Sequence, residues 1–154
     1  MTDYIPAATD RDVYITRSFA APVAVVWKFW TEPELLAQWF GPHGIQIETS
    51  TVTVDAREGG DWGLTMEDES GIHPLSSTIV KLVEHEYLEL LLAAETGLGH
   101  VDNVILRVQF HDHGDTTRMT LHQGPFTPEL RDMTVDGWTQ SFDKMDAIIA
   151  GGNA

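Results

Sequence analysis

The chain has 154 residues and no cysteine, and its 24 acidic residues against 9 basic ones give a formal net charge of −15 at pH 7. This length predicts one domain with its own buried core, and the lack of cysteine excludes disulfides, thiol catalysis and thiolate metal sites. Such an acidic surface repels phosphate backbones, so we expect no nucleic-acid partner, and it favours a role in solubility over a role as a docking face.

The N-terminal residues predict a cytoplasmic protein. Residues 1–11 have neither the basic segment nor the apolar run of a secretory signal. No later segment is long and apolar enough to insert into a membrane. We interpret residues 1–11 as a loose arm, residues 12–150 as a single domain and residues 151–154 as a tail.

A strand and two helices are predicted after the arm. Apolar and polar residues alternate from Val13 to Phe19, which indicates a strand. Pro22 fits the first position of a helix, where its missing N–H is not needed, and one face of that helix carries Val23, Val26, Trp27 and Trp30. Residues 31–34 have the pattern of a capping box, so a second short helix is predicted to carry Leu35, Leu36 and Trp39 and to end at Gly41-Pro42.

From Ile45 onwards, apolar residues recur at every second position, which is typical of strands. The turn at residues 57–60 contains Gly59-Gly60, and we interpret Asp55 and Arg57 beside it as an ion pair or a turn-forming pair. The predicted strands are Ile45–Asp55, Trp62–Met66, Ser77–Val83, Tyr87–Leu92, Val101–His111 and Thr116–Gln123.

The alternation also assigns faces to the last two strands. The inward positions are Leu106, Val108, Phe110, Met119 and Leu121. The outward positions are Arg107, Gln109, Arg118, Thr120 and His122, so His122 is expected at the surface.

A long helix is predicted at the end of the chain. Thr127 fits the N-cap, Pro128 fits the first helical position, and Gly151-Gly152 ends the helix. Because this helix has one apolar stripe, it needs a broad surface to pack against, and the antiparallel sheet provides one. The stripe consists of Leu130, Thr134, Trp138, Phe142 (or Ser141), Met145 and Ile149.

Four motifs in this order resemble one known family. They are Arg17-Ser-Phe-Ala-Ala-Pro22 with Val26-Trp27, then Trp39-Phe40-Gly41-Pro42, then Val54-Asp55-Ala-Arg57-Glu-Gly59-Gly60-Asp-Trp62, and finally Gly137-Trp138. Together they resemble the START/Bet v 1-like (SRPBCC) superfamily, in the branch related to the activator of heat-shock protein 90 ATPase. The resemblance covers residues 15–149. It implies an α+β helix-grip fold, in which a curved antiparallel sheet of about six to seven strands wraps around a long C-terminal helix and two short helices follow the first strand.

The superfamily implies a cavity between the helix and the sheet, because a concave sheet and a straight helix cannot touch everywhere. Inward aromatic, aliphatic and thioether side chains are the predicted ligand-binding residues, although any single one could be plain core. Trp39 to Pro42 are expected at the mouth. The predicted ligand-binding residues are Trp30, Trp39, Phe40, Trp62, Leu64, Met66, Leu106, Val108, Phe110, Met119, Leu121, Trp138, Phe142 and Met145.

No metal, cofactor or catalytic residue is predicted. His111 and His113 could converge on a metal, but a polar turn is favoured because they lie at a predicted hairpin in solvent. The chain has no nucleophile elbow, phosphate-binding loop or zinc-protease helix. Glu95 and Asp102, near a strand-end loop, are the acids that we would check for catalysis.

The predicted function is therefore binding of a small hydrophobic or amphipathic molecule in an internal cavity, without catalysis. Two alternatives stay open. One is an enzyme of the polyketide cyclase or hydrolase kind, with a buried acid or histidine in the cavity. The other is a protein-interaction domain with a chaperone partner, and a homodimer is also compatible with the sequence.

Overall fold

The computed structural model describes residues 4–96 and 99–151, with the backbone alone at residues 94–96 and 99–102. The strands are β1 Val13–Phe19, β2 Gln46–Ile47, β3 Thr53–Val54, β4 Asp61–Asp68, β5 Gly71–Val83, β6 Tyr87–Thr96, β7 Gly99–Asp112 and β8 Thr117–Gly124. The helices are α1 Val23–Thr31, α2 Pro33–Trp39 and α3 Pro128–Ala150, with a turn of 3-10 helix at Thr49–Thr51. None of the described helices is long and apolar enough to cross a membrane.

Within the described residues the strands form one antiparallel sheet in the order β1-β8-β7-β6-β5-β4-β2, and β3 also pairs with β4. The inner face of this sheet packs against α3, and α1 and α2 follow β1, so the predicted helix-grip fold is confirmed. The predicted N-cap of α3 is also confirmed, since the Thr127 side chain accepts a hydrogen bond from the Leu130 N–H at 3.3 Å. An ion pair of 2.7 Å between Arg17 and Asp143 joins β1 to the same helix.

The single strand predicted from Ile45 to Asp55 is wrong in detail. Two short strands, β2 and β3, pair with β4, and a 3-10 turn separates them. The Thr51 N–H and hydroxyl both bond to the Glu48 carbonyl oxygen, which closes that turn. Threonine hydroxyls compete with strand hydrogen bonds in this way, so the β-branched composition of the segment overstated its strand length.

The predicted capping box at residues 31–34 is also wrong. Helix α1 extends through Thr31, and the Thr31 hydroxyl donates to the Trp27 carbonyl oxygen at 3.0 Å. Glu32 is the N-cap of α2 and its side chain makes no capping bond. Pro33 alone starts α2, because its fixed φ suits the first helical turn.

The double-glycine turn brings the start of β4 against β5. Gly59 has a φ of 84°, which glycine adopts without strain. The Gly59 N–H donates to the Ile79 carbonyl oxygen at 2.8 Å, and the Ile79 N–H donates back to Gly60 at 2.9 Å. Asp55 and Arg57 form the predicted ion pair beside this turn, at 2.8 Å.

The N-terminal segment packs on the outer face of the sheet, contrary to the expectation of a loose arm. The Tyr4 ring stacks on Tyr87 with centroids 4.2 Å apart, and the Tyr4 N–H donates to Gln109 Oε1 at 3.1 Å. Asp12 lies 3.3 Å from the Nε2 atom of His122. His122 is therefore buried, and its predicted surface location is wrong because the alternation gives the face of a strand but not what covers that face.

Gly60 gives a direct test of the turn. A Cβ at this position would lie 2.1 Å from the Asp55 carbonyl oxygen, so the backbone would have to move. Gly60→Ala should lower the free energy of unfolding by about 2 kcal/mol or more, measured by urea denaturation. Gly114→Ala is the matched control: its Cβ would meet nothing within 4 Å, and its φ of 79° leaves only strain of about 1 kcal/mol. Equal losses for the two variants would contradict the tight approach at Gly60.

Asp12 gives a test of the outer face. Burial alone would raise its pKa, but hydrogen bonds from Thr9 and the nearby His122 outweigh burial and lower the pKa below its ordinary value. A lowered pKa stabilises the fold above the pKa of the unfolded chain, and that stabilisation is lost as the pH falls through the folded value. Asp12→Asn should therefore lower Tm by about 2–4 °C at neutral pH and by less in acid. A Tm difference that does not change with pH, measured by circular dichroism, would contradict this role of the charge.

A cavity beside an aromatic core

Six aromatic side chains from α1, α2, the residue after α2, β4 and α3 contact one another in what we call the aromatic cluster: Trp30, Trp39, Phe40, Trp62, Trp138 and Phe142. Ring centroids lie 4.8 Å apart for Trp30 and Trp39, and 5.5 Å apart for Trp138 and Phe142. Such edge-to-face and stacked pairs add to the stabilisation that comes from burying large rings. The cluster is solid core, and each of its six rings is at most 6% exposed.

Buried indole N–H groups need acceptors, and three of those in the cluster have one. Trp39 donates to the Phe29 carbonyl oxygen at 2.8 Å, and Trp62 donates to the Trp30 carbonyl oxygen at 2.9 Å. Trp138 instead donates to a side chain, Gln123 Oε1 on β8, at 2.7 Å. These bonds fix the orientation of the rings relative to α1 and the sheet.

A cavity of about 360 Å³ opens beside this cluster, between the first half of α3 and the sheet. Its size falls within the range of small-molecule sites, and its lining is mostly apolar. The lining residues are Phe40, Gly41, Pro42, Ile45, Met66, Asp68, Ser70, His73, Leu75, Leu92, Val104, Gln123, Phe126, Leu130, Met133, Thr134, Gly137, Trp138 and Ser141.

Of the fourteen residues predicted from the sequence to bind a ligand, Phe40, Met66 and Trp138 line this cavity. The others pack elsewhere in the core or are largely buried: Trp30, Trp39, Trp62, Leu64, Leu106, Val108, Phe110, Met119, Leu121, Phe142 and Met145. Most of the predicted residues therefore belong to the packed core, and the open volume lies beside it. Gly41 and Pro42, from the segment expected at the mouth, do line the cavity.

Several lining residues were not among the predicted ligand-binding residues, although the sequence contained patterns that could have identified them. Leu130, Met133, Thr134, Gly137 and Ser141 recur at helical spacing along one face of α3. Gln123 continues the inward alternation of Met119 and Leu121 on β8 by one more step. The predicted inward positions on this strand ended at Leu121, one inward position before this buried amide.

A polar group lies at one edge of the cavity, on the hairpin between β4 and β5. The Ser70 hydroxyl donates to Asp68 Oδ1 at 2.6 Å, and the His73 Nε2 atom lies 3.0 Å from the same oxygen. The hydrogen bond from Ser70 and the contact with His73 lower the pKa of Asp68 to about 2, so this carboxylate is ionised at neutral pH. The cavity edge therefore has a fixed negative charge.

The loop after α2 forms another edge and is held against α3. The Lys144 ammonium donates to the carbonyl oxygens of Phe40 and Pro42, each at 3.5 Å, and burial lowers the pKa of Lys144. The His43 N–H donates to Gln140 Oε1 at 2.8 Å. Both contacts join this loop to side chains of α3, so loop and helix form one wall.

The remaining polar residues singled out in the sequence lie away from the cavity. His113 is exposed in the hairpin between β7 and β8, and His111 is in β7 one residue before Asp112. Across the described residues, no three His, Asp or Glu side chains are grouped closely enough to hold a metal ion. The side chains of Glu95 and Asp102 lie outside the described residues.

A family model described as Activator of Hsp90 ATPase homolog 1-like protein matches residues 20–150. No curated protein matches the chain. A solved structure from Nitrosomonas europaea is 24% identical, with 96% of this chain and 99% of that chain covered and a TM-score of 0.78.

An AHSA1 protein from Silicibacter pomeroyi is 19% identical, with 90% of this chain and 97% of that chain covered and a TM-score of 0.78. A protein from Mycobacterium smegmatis is 21% identical, with 98% of both chains covered and a TM-score of 0.77. At such identities, the likeness to these structures shows a shared fold and nothing finer.

The division between solid core and cavity can be tested by two truncations. Phe142→Ala removes a fully buried ring from the aromatic cluster and should cost about 3–5 kcal/mol of the free energy of unfolding in urea. Met133→Ala, at a cavity residue that is 48% exposed, should change it by less than about 0.5 kcal/mol. If Phe142→Ala does not fold, Phe142→Leu should still lose more free energy of unfolding than Met133→Ala, although the loss should be smaller than for alanine at position 142. Comparable losses at positions 142 and 133 would contradict the division.

Proposed function

The chain belongs to the Activator of Hsp90 ATPase homolog 1-like family, and on this premise we propose that it binds one small hydrophobic or amphipathic molecule in the cavity beside α3. The observation that carries the proposal is the cavity of about 360 Å³, apolar on most of its lining. Protein interiors are otherwise close-packed, so an open apolar volume of this size favours a ligand.

The polar edge of the cavity supports binding over serine-type hydrolysis. In a Ser-His-Asp triad the serine and the carboxylate use different nitrogens of the histidine ring. Here the Ser70 hydroxyl and Asp68 Oδ1 both lie 3.0 Å from the same atom, Nε2 of His73. This arrangement uses the serine hydroxyl and the imidazole to hold a carboxylate, so we assign the three groups to the cavity edge and not to nucleophilic attack.

Gly137 allows the cavity to be filled without disturbing the core. Its Cβ would meet nothing within 4 Å, and it lies on the stripe of α3 that lines the cavity. Gly137→Leu should therefore occupy the binding volume. It should also raise the stability of the helix, because leucine is a better helix former than glycine by about 0.8 kcal/mol.

The test uses N-phenyl-1-naphthylamine, an uncharged probe that fluoresces in apolar surroundings. Wild-type protein should bind it saturably, and Gly137→Leu should weaken binding by about tenfold or more while Tm stays equal or rises. Ala147→Leu, which introduces the same side chain on the exposed side of α3, should bind like wild type. Absence of saturable binding to wild type, or equal binding by both leucine variants, would contradict the proposed function.

A further inference from the structure

We propose that the carboxamide of Gln123 determines specificity in this cavity, and that the ligand is an uncharged apolar molecule with a carbonyl oxygen that accepts a hydrogen bond from Gln123 Nε2. This inference rests on the proposed function and names the chemical class of the ligand. It follows from the hydrogen-bond donors and the charges around the cavity.

The orientation of the Gln123 amide is determined by its neighbour. An indole N–H can only donate, so the atom 2.7 Å from Trp138 Nε1 must be the amide oxygen of Gln123. The Nε2 group, with two N–H donors, is then on the other branch of the amide. Nothing among the described residues accepts a hydrogen bond from it.

Gln123 is 7% exposed and lines the cavity, so its amide donors are nearly enclosed. This donor has no partner among the described residues, and a ligand oxygen would give it one inside a mostly apolar cavity. The side chain is also held in place, because its oxygen is bonded to a ring of the aromatic cluster. A preorganised donor of this kind can discriminate between ligands.

The hydroxyl groups around the cavity already donate to protein atoms. The Thr134 hydroxyl donates to the Leu130 carbonyl oxygen at 2.6 Å, and the Ser141 hydroxyl donates to the Gly137 carbonyl oxygen at 2.9 Å. At the edge, the Ser70 hydroxyl donates to Asp68. This leaves Gln123 as the donor deep in the described lining that a ligand can use.

Charge then selects among ligands that have an oxygen acceptor. The described lining includes no lysine or arginine, the Nε2 atom of its histidine, His73, already contacts Asp68 at 3.0 Å, and Asp68 adds a negative charge at the edge. A carboxylate ligand would lose its hydration without gaining a cation, which is costly in an apolar site. An uncharged carbonyl, as in a ketone, ester or amide, loses much less.

The test compares three ligands with the same ring system: 2-acetylnaphthalene, 2-ethylnaphthalene and 2-naphthoate. Each is titrated as a competitor of N-phenyl-1-naphthylamine. The ketone should bind wild type at least as tightly as the hydrocarbon, although its carbonyl costs more to remove from water, and the carboxylate should bind at least about tenfold more weakly than the ketone.

The variant Gln123→Met removes the donor at nearly constant volume. It should lower the ratio of ketone affinity to hydrocarbon affinity by about tenfold. Gln109→Met is the matched control, since Gln109 is a buried glutamine on the outer face of the sheet, where it accepts from Tyr4. That control should keep the wild-type ratio. If Gln123→Met does not fold, Gln123→Glu, which can still accept from Trp138, should lower the same ratio at neutral pH.

The two proposals fail in different ways. If neither the probe nor any of the three naphthalenes binds, the proposed function fails. If they bind but Gln123→Met or Gln123→Glu leaves the ratio unchanged, or the carboxylate binds as tightly as the ketone, the role of Gln123 is overturned while binding in the cavity stands.

Discussion

The structure depends on packing its buried tryptophans against one another while giving three of their N–H groups an acceptor; the Trp30 N–H has none among the described residues. The aromatic cluster meets the first condition by joining α1, α2, β4 and α3 through one set of ring contacts. Trp39 and Trp62 meet the second with backbone oxygens of α1, which ties α2 and β4 to that helix. Trp138 lies where its N–H faces the sheet, and Gln123 supplies the acceptor. This polar residue on the inner face therefore satisfies a buried N–H that would be costly to leave unpartnered.

The same constraint explains where the cavity lies. The six rings of the cluster pack together beside α3, and the cavity opens next to them along the α3 face from Leu130 to Ser141. Trp138 belongs to both regions, since it packs on Phe142 and also lines the cavity. Core and cavity share one wall, so the position of the Gln123 amide is set by the packing of the core and does not require a ligand.

Much of the fold could be predicted from the sequence because it is encoded by local patterns: the alternation of β1, the Thr127-Pro128 start of α3, and the turn at Gly59-Gly60. The cavity could be predicted less well. Its volume is the space that remains where surfaces formed by residues far apart in the sequence do not touch. The periodicity of apolar residues identifies which side chains point inward, but it does not show which of them touch each other and which face a cavity. The burial of His122 depended likewise on Asp12, which lies more than a hundred positions away along the chain.

Gly137 shows that the open volume is a feature of the chain and not a packing defect. Glycine inside a helix costs about 1 kcal/mol relative to alanine, and one reason to retain a glycine is a neighbour that comes too close for a Cβ. At Gly60 and Gly124 such neighbours exist, at 2.1 Å and 2.2 Å from the expected Cβ. At Gly137 there is none within 4 Å, so close packing gives no reason for glycine in the middle of α3. The residue lines the same cavity as Gln123, and its lack of a side chain leaves space there.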